Sequence, residues 1–322
     1  MTITLADLRV MIEPQEGGTY AEMLSLARRA ESIGFGGFFR SDHYLSISGP
    51  PKSDATDAWA TLAGFARETS TIRIGALVSP MTFRHPSQLA KIVATVDQMS
   101  DGRLEVGMGA GWFEKEHVAY GLPFPPAAER MDRLEDALEI CTRLWSDGPA
   151  TYEGRVFSVA NAPGHPKPPQ RPGPPIIVGG GGPKRTPRLA AQFASEYNSF
   201  GATPDMFAER RQRVADACRR QGRDPDSLVY SVMCPTIVGR DASDLRRRSQ
   251  RRLDFNGQKD DVGEWIGQMQ AGGALVGTPT EVAARLKAMA DKGCQRFYLQ
   301  FVPVDDDGML EVIAEELPPL LA

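Results

Sequence analysis

The sequence predicts an α/β chain closed into a (β/α)8 barrel of the TIM type. Short apolar runs alternate with amphipathic stretches along the chain, the pattern of parallel strands joined by crossover helices. About eight strands and eight helices can be counted, typical of such a barrel near this length. An open, doubly wound sheet is the runner-up. It would carry a glycine fingerprint at its first turn, and Glu13-Pro-Gln-Glu-Gly-Gly18 does not supply one.

Residues 8–13 read as the first strand. Residues 20–33 follow as a helix, with Met23, Leu24, Ala27, Ala30 and Ile33 on one face and Gly34 as its stop. Residues 36–40 form a second strand ending at Ser41-Asp42-His43, 57–66 a helix, and 72–78 a third strand. The helix over 86–99 places Pro86 near its start, where a missing N–H costs little. A fourth strand over 103–108 runs into Gly109-Ala-Gly-Trp-Phe113, and 130–145 is a long amphipathic helix. The second half repeats the alternation less regularly. Strands are expected over 175–178, 198–200, 228–238 and 296–302. Helices are expected from the Gly179–Gly182 turn to 194 and over 206–220, 246–255, 280–290 and 309–321.

Two stretches interrupt the pattern. Residues 149–175 combine a small hairpin, with Gly154 at its turn, and a proline-rich segment too stiff for a helix. Residues 255–276 carry five glycines. Both are expected as loop insertions on the ligand-facing rim of one domain spanning 1–322. The apolar residues Trp265, Ile266 and Met269 in the second are either part of a lid over a hydrophobic substrate or core.

Composition narrows the function. Lys plus Arg is 37 against 41 Asp plus Glu, a net charge of −4, which gives no general pull toward nucleic acid. The run Arg246, Arg247, Arg248, Arg251, Arg252 is the local exception; it reads as a solvated helix face or as a means of steering an anionic ligand. No apolar run approaches membrane-spanning length, and the N-terminus lacks the pattern of a secretory signal. Cys141, Cys218, Cys234 and Cys294 form no CxxC pair, so free thiols in a reducing cytoplasm are expected.

In a barrel the ligand site lies at the C-terminal strand ends. Those ends read Ser41-Asp42-His43, Val78-Ser79-Pro80-Met81-Thr82, Gly107-Met-Gly109-Ala110-Gly111-Trp112 and Gly179-Gly180-Gly181-Gly182. Four glycines before Pro183-Lys184-Arg185 and a helix let backbone N–H groups turn toward a phosphate, with Lys184 and Arg185 adding charge. The alternative is a flexible turn, and the spacing is not that of a P-loop. The glycines at 107, 109 and 111 allow a planar ring to approach the backbone, or serve packing alone. Asp42 and His43 read equally as a pair that orients a ring or moves a proton, and as a helix cap beside a surface histidine. His85, His117 and His165 have no metal-ligand spacing, so no metal is expected. No GxSxG elbow is present, and Asp305-Asp-Asp307 is expected to cap the last helix.

These segments, together with Gly34–His43, 53–59, 74–86, Glu116-His-Val-Ala-Tyr-Gly121, 176–185 and Gly277–Glu281, resemble the luciferase-like monooxygenase superfamily, and within it the actinobacterial F420-dependent oxidoreductases. The resemblance covers almost the whole chain. It implies a bacterial luciferase-like barrel that binds the deazaflavin F420, or alternatively FMN, at its C-terminal rim. Asp42 and His43 match the pair beside the flavin ring, with His43 as the inherited acid/base. Leu77 and Val78 match a bulge, often with a non-proline cis peptide, that supports the ring from behind. Ser79, Thr82, Gly109, Ala110 and Gly111 match cofactor-binding positions; Gly179–Gly182, with Lys184 and Arg185, match the phosphate loop. The implied partners are a small-molecule substrate, a flavin or F420 reductase supplying reduced cofactor, and a second copy in a homodimer. One departure stands out. Where some F420-dependent sugar-phosphate dehydrogenases place a glutamate after the fourth strand's glycines, this chain has Trp112, which argues against that substrate.

Overall fold

The computed structural model describes residues 2–48, 55–304 and 308–322. From the N-terminus, β1 (Leu8–Ile12), α1 (Tyr20–Ile33), β2 (Gly37–Arg40), α2 (Ala58–Glu68), β3 (Arg73–Pro80), α3 (Pro86–Met99) and β4 (Leu104–Gly109) alternate strictly. A short helix, α4 (Glu114–Ala119), the long α5 (Ala127–Trp145) and a hairpin of β5 (Ala150–Glu153) with β6 (Ser158–Ala162) follow. Alternation resumes with β7 (Ile176–Gly179), α6 (Arg185–Phe193), β8 (Glu196–Phe200), α7 (Pro204–Arg220) and β9 (Val229–Val238). Then come α8 (Ala242–Asn256), α9 (Val262–Ala271), β10 (Leu275–Gly277), α10 (Pro279–Asp291), β11 (Arg296–Phe301) and α11 (Met309–Leu321).

Eight strands close in the order β1-β2-β3-β4-β7-β8-β9-β11, and β11 returns to β1; every pairing is parallel. The predicted (β/α)8 barrel is therefore the fold. Most predicted boundaries agree within two or three residues because local signals set them. Thr19 and Glu22 form a capping box at the start of α1, and Gly34 ends it in the left-handed region at φ 99°. Asp57 caps α2 through the Ala60 N–H. The expected cap at Asp305–Asp307 lies outside the described residues.

The two insertions depart from expectation. The hairpin hangs on α5, where the buried Asp136 carboxylate accepts from Tyr152 Oη and the N–H groups of Arg155, Val156 and Phe157. The proline-rich segment then returns along α3, held by Lys91, Gln98 and Asp97, and so covers the barrel wall rather than its rim. Residues 255–276 are not a loop. Asp261 caps α9, and Val262 and Trp265, with Ile266 and Met269 against them, pack on Ile237, Leu245, Leu253 and Val276. That burial outweighs the cost of roughly 1 kcal/mol per helical glycine at Gly263 and Gly267. β10 adds to the upper half of β9, so this stretch is a packed side unit with Trp265 in its core.

The main core lies between the strands and the outer helices. Inside the barrel, side chains two apart on a strand share the interior. At its base Arg9 meets Glu105 at 2.8 and 3.2 Å, Arg73 bonds the same carboxylate, and Arg296 pairs with Glu196 at 2.6 Å. Glu196 also accepts from Tyr298 Oη at 2.8 Å. Above them Met11, Phe39, Leu77, Ile177 and Tyr298 form an apolar layer, and the Arg9 guanidinium lies 5.2 Å from the Phe39 ring centroid. Glu13, two beyond Met11 in sequence, opens the next level, the mouth. No helix among the described residues is long and apolar enough to cross a membrane.

Burial opposes the charge on Glu105, but Arg9 and Arg73 hold its carboxyl below the ordinary range. Replacing Glu105 with Gln leaves Arg9 buried without its counter-ion. The expected loss is about 3–5 kcal/mol, seen as a lower urea midpoint at unchanged slope.

Candidate active site at the barrel mouth

The end of β2 delivers four polar residues in succession. Arg40 is wholly buried and donates to Ser41 O, to Thr56 Oγ1 and O, to Asp57 O and to Thr61 Oγ1, which ties the strand end to the start of α2. Asp42 is also buried. Its Oδ2 accepts from Ser79 Oγ at 2.7 Å and Arg84 Nη1 at 2.6 Å, and Ser79 in turn accepts from Trp59 Nε1. Arg84 reaches on to Asp57 at 2.7 Å. Asp42 and Ser79, both expected at the cofactor, are thus joined in one network that holds the β2 and β3 ends together.

His43 is different. Its Nδ1 lies 2.9 Å from Glu116 Oε1, and Glu116 is buried on α4, where its other oxygen accepts from the Tyr44 N–H at 3.0 Å. A carboxylate only accepts, so Nδ1 carries a proton and Nε2 is left for the mouth. No described residue bonds Nε2. Trp112 and Phe113 stand edge-on to the ring, with centroids at 5.9 and 6.1 Å. Burial disfavours the charged imidazole, yet the Glu116 hydrogen bond and the charges of Glu116, Glu13 and Asp42 raise its pKa above the ordinary value. Glu13 is held at the β1 end by Gln15 and Gln300, at 2.6 and 2.5 Å.

The floor of the mouth is the irregular end of β3. The Leu77–Val78 peptide is cis, and the β3–β4 register shifts between Ala76 and Ser79, as the family resemblance implies. Leu77 points into the apolar barrel layer. Val78 sits over three glycines: a Cβ on Gly107, Gly109 or Gly179 would come within 2.9, 2.5 and 3.1 Å of its methyl groups. Those glycines are therefore needed first to seat the bulge. Gly111 has φ 81°, and a Cβ there would meet Thr82 Oγ1 at 2.9 Å; Ala110 packs on the main core. Thr82 is committed to the buried His117. That ring donates from Nδ1 to Phe113 O at 2.8 Å, so its Nε2 accepts from Thr82 Oγ1 at 2.7 Å.

At the end of β7, Gly180–Lys184 form an exposed loop leading into α6. Tyr197 Oη donates to Gly180 O at 2.9 Å, which fixes the near end of the loop. No side chain caps α6, and since Pro187 has no N–H, the Arg185 and Thr186 N–H groups are the donors left at its start. A Cβ on Gly181 would lie 3.8–3.9 Å from the guanidinium of Arg210 on α7. Exposed glycines, free helix donors and a cation fit a ribityl phosphate. The Arg185 side chain points away from the loop. It turns back to α5, donating to Asp132 at 2.6 Å and Glu135 at 3.0 Å, whereas Lys184 stays exposed in the loop.

Glu116, Arg84, Glu13 and Arg210 belong to the site without having been singled out from the sequence. Glu116 lies 73 positions from His43, and Arg84 lies 42 from Asp42. The one local hint was an acidic residue, Glu116, soon after the β4 glycines. The arginine run does not form a cationic groove as a unit: Arg247 and Arg248 pair with Asp244 on their own helix, and Arg252 donates to Val302 O.

The glycine loop and the histidine–glutamate pair share one mouth of a closed parallel barrel, the end where such barrels carry their ligand sites. Residues 1–296 match the luciferase-like monooxygenase family, and the chain belongs to it. Among curated relatives, an F420-dependent glucose-6-phosphate dehydrogenase from Microbacterium testaceum is 35% identical over 64% of this chain and 61% of its own length. The monooxygenase RslO1 from Streptomyces bottropensis superposes with a TM-score of 0.83 at 23% identity, covering 98% of this chain and all of that one. An F420-dependent secondary alcohol dehydrogenase, solved with an F420–acetone adduct, gives 0.80 at 21% identity, covering 98% and 99%. At these identities the two structures establish shared fold alone.

Histidine NMR titration checks the pair. With four histidines in the chain, the His43 resonance is expected to titrate above the ordinary histidine range. In Glu116→Gln it moves down, because burial persists while the compensating charge is gone. An unchanged midpoint would show that Glu116 does not govern the ring.

Proposed function

We propose that this enzyme binds F420 and transfers a hydride between the deazaflavin and a small organic substrate. The observation that carries the reading is the uncapped start of α6 behind exposed glycines, with Arg210 beside Gly181, on the same mouth as the His43–Glu116 pair. The name of the 35%-identical relative supports F420 over other cofactors.

When bound, the deazaflavin supplies two electrons as hydride. The chain's residues do the rest. The α6 N–H groups and Arg210 hold the phosphate, and Val78 on its glycine seat backs the ring. His43 Nε2 faces the substrate to give or take the accompanying proton, and Glu116 orients the imidazole and stabilises its charged form. The Arg84–Asp42–Ser79 network keeps the β2 and β3 ends in register. The raised His43 pKa keeps the ring protonated further toward neutral pH, as a donor to a developing alkoxide requires.

The same phosphate site suits FMN, which shares the ribityl phosphate. FMN held there would supply oxygen chemistry once reduced by a flavin reductase, with the α6 N–H groups and Arg210 in the same phosphate-holding roles.

Titration of the purified protein with F420 and separately with FMN tests the proposal. Saturable F420 binding much tighter than FMN binding is expected, and Arg210→Ala should weaken it about tenfold or more by removing a charge-assisted contact. Tighter FMN binding would move the chemistry to oxygen. Binding of neither would sink the assignment.

A further inference from the structure

Large apolar side chains that stay in water are unevenly placed on this molecule. Seven such residues are exposed among those described: Ile47, Trp112, Val118, Tyr120, Phe200, Met206 and Leu320. All except Leu320 follow or end a strand at the C-terminal side of the barrel: Ile47 after β2, Trp112, Val118 and Tyr120 after β4, Phe200 at the end of β8 and Met206 just beyond it. Such concentration at a mouth marks a surface that something covers.

Trp112 is the sharpest case. The chain's other three tryptophans, Trp59, Trp145 and Trp265, are buried, whereas Trp112 is 61% exposed. It stands edge-on to His43, and its ring centroid lies 5.3 Å from that of Phe113 at a 32° tilt. An exposed indole gains by being covered, and its flat face is best covered by another flat apolar group.

The electrostatics point the same way. Glu116, Glu13 and Asp42 all place negative charge around His43. Arg84 is neutralised by Asp42 and Asp57, Arg40 is turned into the β2–α2 connection, and Arg210 stands at the glycine loop, on the cofactor side of the mouth. Arg252 donates to Val302 O but lies in the field of Glu13 and Glu16. A phosphate dianion brought to His43 would meet the Glu116 and Glu13 carboxylates first.

We propose that Trp112, with Phe113, is the platform for the substrate, and that this mouth takes a planar, uncharged, largely apolar carbonyl or quinone rather than a sugar phosphate. The inference rests on the mouth being the active site, and it deepens that reading by naming the substrate class. The reaction balances within it: two electrons arrive as hydride from reduced F420, one proton comes from His43 Nε2, and the carbonyl becomes an alcohol. A quinone takes the same hydride and proton to become a hydroquinone.

Calorimetry on protein loaded with oxidised F420 tests this without turnover, using menadione and glucose 6-phosphate as probes. F420 loading is measured first on every variant, so failure of the cofactor reading shows itself separately. Menadione is expected to bind, and glucose 6-phosphate to give no saturable heat. Trp112→Ala should weaken menadione about tenfold or more, and Trp112→Phe should retain most of the affinity. Glucose 6-phosphate binding that exceeds menadione binding would overturn the inference, above all if Arg252→Ala abolished it, since Arg252 would then be the anion anchor. Failure of menadione to bind would overturn it too, as expected of a rim covered by a second copy, and so would menadione affinity indifferent to Trp112→Ala.

Discussion

Closing eight parallel strands leaves an interior that accepts side chains only in layers, and each strand can offer every second residue to it. Much of this structure follows from that constraint. Arg9, Met11 and Glu13 on and just beyond β1 meet three different environments: an ion-paired base, an apolar middle and a polar mouth. The charged base is sustained by pairing across the barrel, since neither Arg9 nor Glu105 has solvent to compensate it. The candidate site lies at the top because only there do the strand ends leave the layered packing.

At the top, charge and apolar surface are separated by strand. The β7 end supplies backbone donors and a nearby arginine, suited to an anion. The β2 and β4 ends supply a histidine under a negative field, walled by indole and phenyl rings. Between them, β3 forms a floor whose Val78 fills the room left by glycines on β4 and β7. A cofactor with a phosphate at one end and a flat ring at the other suits this division, and so does a substrate without charge of its own.

The network beneath His43 shows why a motif alone does not assign roles. Asp42 and His43 are adjacent in sequence, but successive residues at a strand end point in opposite directions. Asp42 turns to Ser79 and Arg84 and braces the β2 and β3 ends; His43 turns to the mouth and meets Glu116. Arg185 and Arg210 show the same effect at the phosphate loop. The neighbour in sequence is drawn away by carboxylates on α5, and a residue on the next helix stands beside the glycines.

Periodicity, caps and breakers are local, so the barrel, the span of α1 and α3 and the glycine loop after β7 were all legible in the sequence. His43 was legible because strand ends in a barrel face the ligand side, and the Leu77–Val78 bulge was legible only through the family resemblance. Glycines at 257, 263, 267, 272 and 273 suggested a loop over 255–276, and there the local signal was overruled by burial of Trp265 and its neighbours. The pairing of His43 with Glu116 spans 73 positions, and that of Asp42 with Arg84 spans 42. Contacts over such distances depend on which strand ends the closed ring brings together and on which way each side chain turns. Only the tertiary structure decides that, because direction and proximity are set by the barrel and not by the order of residues along the chain.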